Sequence, residues 1–487
     1  MKERILSLQA LSEKMNPSGA DYENLNSAAG EFANSFLSSL DQGQAYRQIP
    51  SMKGKLENAD QTAAFGEILD QLREDMLQVG LNPASGGHLG YIPGGGLYAG
   101  VLGDYLAALT NQYAGIFYGG PGAVKIENEL IRWLCQLMDY PDTSLGNLTS
   151  GGSIANLIAF VTAREARGLK AAEFENQCIY LTAQVHHCVH KAIRICGMQE
   201  AKIRTVAMDE RFRMDATDLE QQIKQDHKAG LRPFLVVASA GTTDTGAVDP
   251  MDRIADLAQS HGLWFHVDAA YGGFFKMVDL EQGESGYTRD LFKGIERSDS
   301  LAIDPHKGMF LSYGLGAVLI KDVASQYKAH YYRAAYMQDT LSNQEELSPC
   351  DLSPELTKHF RGLRMWLPLR LYGLDVFKAA WEEKILLCRY FYEEIKKMGF
   401  ETGPFPDLSV CIYRYLSEQG DPDAFNRALV EYVVRDGRVF VSSTTIEGVF
   451  WIRIAILSFR THLSTIDLYL EILREGLYHL LKPTRPV

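Results

Sequence analysis

The spacing of apolar positions changes along this chain, and each change predicts a different kind of element. Phe65, Ile68, Leu69, Leu72 and Met76 recur at the three-and-four spacing of one helix face, with charges on the other faces. This predicts a helix whose apolar stripe must bury against something. Across 86–122 periodicity gives way to a Gly-rich stretch carrying Tyr91, Phe117 and Tyr118, a composition suited to loops that pass close to a ligand or a partner chain. A helix over 124–140 stops at Pro141. From 148 to 320, short runs rich in β-branched and aromatic residues (179–182, 234–238, 264–267, 301–303 and 317–320) alternate with helical patterns. That alternation predicts an α/β fold with a mostly parallel central sheet covered by helices on both faces. A long helical stretch over 356–397 leads to fresh strand signals at 408–413, 439–441 and 449–456, which we read as a smaller C-terminal α/β domain. The expected organisation is an N-terminal helical segment (1–90), a large domain (91–375) and a small domain (376–487).

Composition narrows the function classes. The 487 residues are 46% hydrophobic and 22% charged, ordinary for a soluble globular chain of two or three domains. A net charge of −13 leaves no broad basic surface for nucleic acid or anionic lipid, so a small-molecule ligand is expected. The N-terminus mixes charges into its first helical pattern, and no apolar run reaches membrane-spanning length, which predicts a cytoplasmic protein. Seven cysteines without paired spacing suit reduced, mostly buried thiols.

In parallel sheets ligands collect beyond the carboxyl ends of the strands, and Thr243, Asp268 and Lys307 all fall at or just after predicted strand ends. Lys307 follows Asp304, Pro305 and His306 and lies between two apolar runs, a setting that desolvates an amine, lowers its pKa and favours the neutral nucleophile. Asp268 closes the run Leu263-Trp-Phe-His-Val, where a carboxylate is costly unless paired. It could cap a helix, but with Lys307 nearby we favour pairing with a cationic ring nitrogen. A lysine and an aspartate so placed are what pyridoxal phosphate needs: an amine to condense with the aldehyde, and an anion that keeps the pyridine nitrogen protonated so that the ring accepts electrons. Thr149-Ser-Gly-Gly-Ser153 opens an apolar helix, and its small residues, hydroxyls and helix N-terminus compose a phosphate cup, although such a turn also caps helices without any ligand. The cluster His186, His187, Cys188 and His190 has no complementary Cys/His pair elsewhere, so no metal is expected; an imidazole stacked on the cofactor ring explains one of these histidines better.

The ordered motifs Thr149-Ser-Gly-Gly-Ser153, Ala183-Gln-Val-His186, Ala240-Gly-Thr-Thr243, His266-Val-Asp268-Ala-Ala-Tyr and Asp304-Pro-His-Lys307 resemble the group II pyridoxal-phosphate-dependent amino-acid decarboxylases, over about residues 60 to 460. The resemblance implies the aspartate-aminotransferase-like architecture, fold type I of the pyridoxal-phosphate-dependent transferases. By position it implies Lys307 as the lysine bonded to the cofactor, Asp268 as the partner of the pyridine nitrogen, and His186 as the ring-stacking residue. It likewise implies Gly152 and Ser153 at the phosphate, with Thr243 and His306 beside the cofactor and Ala270 under the ring. The family's usual Asn is Asp304 here, an anion that needs a partner of its own beside a phosphate. Tyr336, in Ala-Ala-Tyr-Met-Gln, matches the loop tyrosine that returns a proton to the α-carbon after carbon dioxide leaves; relatives that make aldehydes carry Phe there. Tyr91, Phe117 and Tyr118 match the substrate-lining region, and Arg453 is a candidate carboxylate binder or, equally, a core ion-pair residue. The implied reaction is decarboxylation of an L-amino acid to its amine. An aromatic substrate is slightly favoured, with glutamate, diaminobutyrate or cysteine sulfinate, an aldehyde-forming reaction or carbon–carbon lysis as alternatives. Family members are homodimers with sites at the interface, and the stripe at 65–76 suits wrapping a partner.

Overall fold

Seven strands form the central sheet: β1 (Leu145–Thr149), β2 (Gln177–Thr182), β3 (Lys202–Val206), β4 (Arg232–Ser239), β5 (Trp264–Asp268), β6 (Ser300–Ile303) and β7 (Gly316–Ile320). Their order is β1-β7-β6-β5-β4-β2-β3. β7 runs antiparallel to both neighbours and every other pairing is parallel. The computed structural model describes residues 1–40, 43–48, 62–281, 287–331, 346–418 and 420–482. Five of the strands are buried at every position, which is why they read as short continuous apolar runs rather than as alternating ones: helices cover both faces. β3 escaped the sequence reading because its Lys202 and Arg204 break the apolar pattern; it is the edge strand, where charge discourages pairing with another chain.

Register places the chemistry. Ser239 of β4 pairs with Asp268 of β5, and Asp268 with Ala302 of β6, so three carboxyl ends come level. Asp304 and Lys307 then follow within one short helical turn, Pro305–Gly308.

The second sheet contains β8 (Glu401–Thr402), β9 (Val410–Arg414), β10 (Ser442–Ile446) and β11 (Val449–Ala455), antiparallel in the order β8-β9-β11-β10. The strand expected at 439–441 begins instead at Ser442, with Val439 and Val441 buried just before it. The helical stretch Gly362–Lys397 is broken at Gly373, whose φ of 71° and ψ of 171° suit a glycine and interrupt the helix. All seven cysteines are free thiols and six are buried.

The N-terminal helices differ from the rest. Lys2–Ser12, Gly19–Ser39 and Phe65–Leu72 contribute no buried residue. The stripe expected to bury lies open along one chain, with Ile68, Leu72 and Met76 all exposed. No helix among the described residues is long and apolar enough to cross a membrane.

Candidate functional site

The carboxyl ends of β1, β2, β4, β5 and β6 open onto a cavity of about 330 Å³. Gly152, Ser153, His186, Thr243, Asp268, Ala270, Asp304, His306 and Lys307 all line it. Residues 150 positions apart in sequence thus converge because parallel strands deliver their following loops to one edge.

Asp268 is almost fully buried. Its Oδ1 accepts the Ala270 N–H at 3.1 Å and its Oδ2 the Asn156 side-chain amide at 3.3 Å. Burial pushes its carboxyl up, against the pull of Lys307 and these donors. A cation placed against this carboxylate would therefore be strongly held.

Asp304 is the N-cap of the short helix Pro305–Gly308 that carries Lys307, three residues on, and Lys307 Nζ lies 2.9 Å from Asp304 Oδ2. Burial pushes the amine down, but Asp304 beside it outweighs burial and Lys307 titrates above its ordinary value. The depressed pKa expected from the apolar flanks is corrected here: those flanks do desolvate the amine, and the carboxylate one turn away reverses the sign. Asp304 is itself 1% exposed, and its Oδ1 has no hydrogen-bond partner among the described residues. His306 Nδ1 is 2.6 Å from the Leu315 carbonyl, so Nδ1 carries the proton; its Nε2 lies 3.7 Å from Asp304 Oδ2.

His186 caps the helix His187–Ile195, its Nδ1 accepting the Cys188 N–H at 3.4 Å. Burial and the nearby Lys307 push it down to about 4, so the ring is neutral at physiological pH and free to stack. Arg453, on β11, is buried and its donors are already committed: Nε to the Thr243 carbonyl at 2.8 Å, NH1 to Ser442 Oγ at 2.9 Å and NH2 to the Tyr91 carbonyl at 2.9 Å. It lies outside the cavity lining and, among the described residues, makes no close ion pair with a carboxylate. It clamps the Thr243 loop to Tyr91. Tyr91 and Tyr118 are exposed, Phe117 is buried with its N–H on Ser348 Oγ, and none of the three lines the cavity. Tyr336 lies outside the described residues.

Sequence reasoning missed Asn156, one turn after Gly152 on an apolar helix face, and Gln184, which lines the cavity with a buried and unpartnered Oε1. A polar side chain at a position whose spacing demands burial was the available signal.

These residues fit pyridoxal phosphate. A Cβ on Gly152 would come within 3.1 Å of Asp304 Oδ2 and 3.3 Å of Ala270 Cβ, and one on Gly151, at φ 150°, within 3.2 Å of His306 Cε1. The cup at the helix N-terminus stays open because both positions are glycine. Ser150 and Ser153 supply hydroxyls beside it, and the amine of Lys307 and the carboxylate of Asp268 face the same space.

Comparison with known proteins agrees with this geometry. The pyridoxal-dependent decarboxylase conserved domain matches residues 52–404. An aromatic-L-amino-acid decarboxylase of Bacillus atrophaeus is 33% identical over 381 residues, 77% of either chain. A cysteine sulfinic acid decarboxylase of Rattus norvegicus is 34% identical over 316 residues, 62% of either chain. A crystal structure of Oryza sativa TDC with PLP and tryptamine shares the fold, with a TM-score of 0.87 and 23% identity across 96% of this chain and 99% of that one. The fold is thus α/β, fold type I, around a mixed central sheet. The chain belongs to the pyridoxal-dependent decarboxylase family. It is a pyridoxal-phosphate-dependent carboxy-lyase of the amino-acid decarboxylase group.

Proposed function

We propose that this enzyme decarboxylates an aromatic L-amino acid to the corresponding amine. The observation that carries the choice of substrate is the charge of the cavity lining. Among the described residues Lys307 is the sole Lys or Arg side chain there, and Arg453 is spent on backbone carbonyls. With Lys307 committed to the cofactor, nothing in that lining answers the second anion of glutamate or a sulfinate, whose burial without a partner is costly. Similarity over 77% of the chain to an aromatic-L-amino-acid decarboxylase supports the same reading.

When bound, pyridoxal phosphate supplies an aldehyde that captures amines and a ring that accepts the electron pair of the breaking carbon–carbon bond. In our reading Gly152, Ser153 and the helix N-terminus hold its phosphate, Ala270 and His186 sandwich its ring, and Thr243 flanks it. Lys307 Nζ holds the cofactor between turnovers and gives it up to the substrate amine. Asp268 keeps the ring nitrogen protonated. Tyr336 Oη returns a proton to the α-carbon, which ends the reaction at the amine rather than the aldehyde.

We further read the active form as a cytoplasmic homodimer with 1–90 wrapped on the partner, 91–375 as the cofactor domain and 376–487 as the small domain; the exposed apolar stripe and the break at Gly373 support this division.

Carbon dioxide release measured over tyrosine, tryptophan, phenylalanine, glutamate, diaminobutyrate and cysteine sulfinate tests the proposal. The highest kcat/KM is expected for an aromatic substrate, with amine as product. Preference for an acidic substrate, or an aldehyde product, overturns it.

A further inference from the structure

Behind Asp268, on the side away from the cavity, lies an uninterrupted run of buried hydrogen bonds in which every donor can be assigned. Trp264 Nε1 is 2.8 Å from Ser300 Oγ, and an indole N–H can only donate. Asn156 Nδ2 is 2.8 Å from the Gly152 carbonyl, which can only accept, so the amide orientation is fixed with Oδ1 on the opposite side. That Oδ1 is 2.7 Å from His266 Nε2, which must therefore carry the proton. Burial pushes His266 down to about 3, so the ring is neutral and its Nδ1 is left as an acceptor. Nδ1 lies 2.8 Å from Ser300 Oγ, whose hydroxyl hydrogen is free to be given because Trp264 occupies its lone pair. The bonds then all point one way: Trp264 to Ser300, Ser300 to His266, His266 to Asn156, and Asn156 to Asp268 Oδ2 at 3.3 Å. All three intermediate side chains are fully buried, in a low-dielectric interior where aligned donors reinforce one another.

We infer that Trp264, Ser300, His266 and Asn156 are positioning residues: a one-way donor chain that keeps Asp268 ionised and aimed, so that the proton it shares with the cofactor's pyridine nitrogen stays on nitrogen. This rests on the reading of Asp268 as partner of that nitrogen. Physically, a carboxylate that accepts at both oxygens is a weaker base, and a weaker base leaves the shared proton on the ring. Loss of the Asn156 amide makes Asp268 the stronger base, and the proton moves across to oxygen. Ser300 and His266 act at a distance by fixing the tautomer and the amide orientation.

The test uses holoenzyme reconstituted with pyridoxal phosphate carrying ¹⁵N at the ring nitrogen. The solid-state ¹⁵N shift is recorded from pH 6 to 9, together with the cofactor dissociation constant. Asn156→Ala and His266→Phe are expected to move the signal toward unprotonated pyridine and to weaken cofactor binding about tenfold, the equivalent of one pKa unit. Ser300→Ala should move it less, in the same direction, and His266→Gln, whose amide can still donate to Asn156, should largely restore it. Asp268→Asn should move it completely. A wild-type shift in folded Asn156→Ala and His266→Phe, alongside a moved Asp268→Asn, overturns the chain but spares the Asp268 reading. An unmoved Asp268→Asn overturns both. Ser300→Ala removes only a hydroxyl, so if the larger changes fail to fold, an unmoved signal in this variant overturns the chain on its own.

Discussion

The floor of the cavity, with the polar groups behind it, and the apolar outer surface of the chain treat their side chains in opposite ways. At and behind the floor, Asp268, Asn156, His266 and Ser300 are buried, and each is paired by groups of the same chain. On the outer surface, Tyr91 and Tyr118 are 59% and 67% exposed, and the N-terminal helices bury nothing. Of the buried polar groups only Asp268 lines the cavity and, in our reading, meets the cofactor; the other three stand behind it and hold it in place. The outer region is apolar surface left in water, and our dimer proposal has a second copy cover it. The contrast is thus between buried polar groups paired within the chain and apolar surface left exposed on it.

Four expected outcomes would sharpen or break this contrast. The largest concerns Lys307. Lys307→Ala should abolish the visible absorption of the lysine-bound cofactor and lower decarboxylation by roughly 10³-fold or more, as loss of a covalent group does. Retention of the band would place the bond elsewhere.

Arg453 comes next, as the link between the Thr243 loop at the cavity and Tyr91 on the outer surface. Arg453→Met leaves buried carbonyls of Thr243 and Tyr91 unpaired, which costs about 1–3 kcal/mol each. A clear loss of thermal stability is expected; a raised KM with an unchanged melting temperature would restore a substrate-binding role.

Asp304 sets a pH dependence. Because the carboxylate holds Lys307 above its ordinary value, little neutral amine exists at pH 8, and capture of added cofactor by the apo-protein should quicken as pH rises through the alkaline range. Asp304→Asn lowers the lysine pKa and should speed capture at pH 8 on the order of tenfold, with the profile displaced to lower pH. Stopped-flow absorbance decides; an unmoved profile would mean that Asp304 does not govern the amine. The same pair stabilises the apo-fold fully below the unfolded lysine pKa and ceases to do so as pH climbs through the raised folded value.

The smallest effect belongs to the outer wall. Tyr118→Ala should change the stability of the isolated chain by no more than about 0.5 kcal/mol, yet weaken self-association about tenfold if a second copy covers it. Sedimentation at graded concentrations reads the second effect, and unchanged association breaks the contrast between floor and outer surface.

Much of the floor was legible before folding because its signals are local. A short β-branched run followed by a lone carboxylate or lysine announces a strand end, and Asp268 and Lys307 obeyed that rule. The phosphate cup was legible for the same reason, since Gly151, Gly152 and Ser153 precede their own helix. What escaped was whatever depends on a neighbour distant in sequence. Asn156 read as an ordinary helix residue until β5 brought Asp268 and His266 beside it. Arg453 read equally as a binder of a carboxylate or as half of a core ion pair, because sequence shows the cation and not the carbonyls that surround it. The sign of the Lys307 shift was misjudged from its apolar flanks, although Asp304 stood one turn away in plain view.

Taken alone, the sequence determined the α/β class, the order of the motifs and the identity of the cofactor, because hydrophobic period and strand-end chemistry are written over a few consecutive residues. Only the tertiary structure decided which groups meet. It turned β7 antiparallel, put Asp304 rather than Asp268 against the free lysine, spent Arg453 on backbone and ran a donor chain to Asp268. Such pairings depend on register and burial between segments a hundred or more residues apart, and no local pattern encodes them.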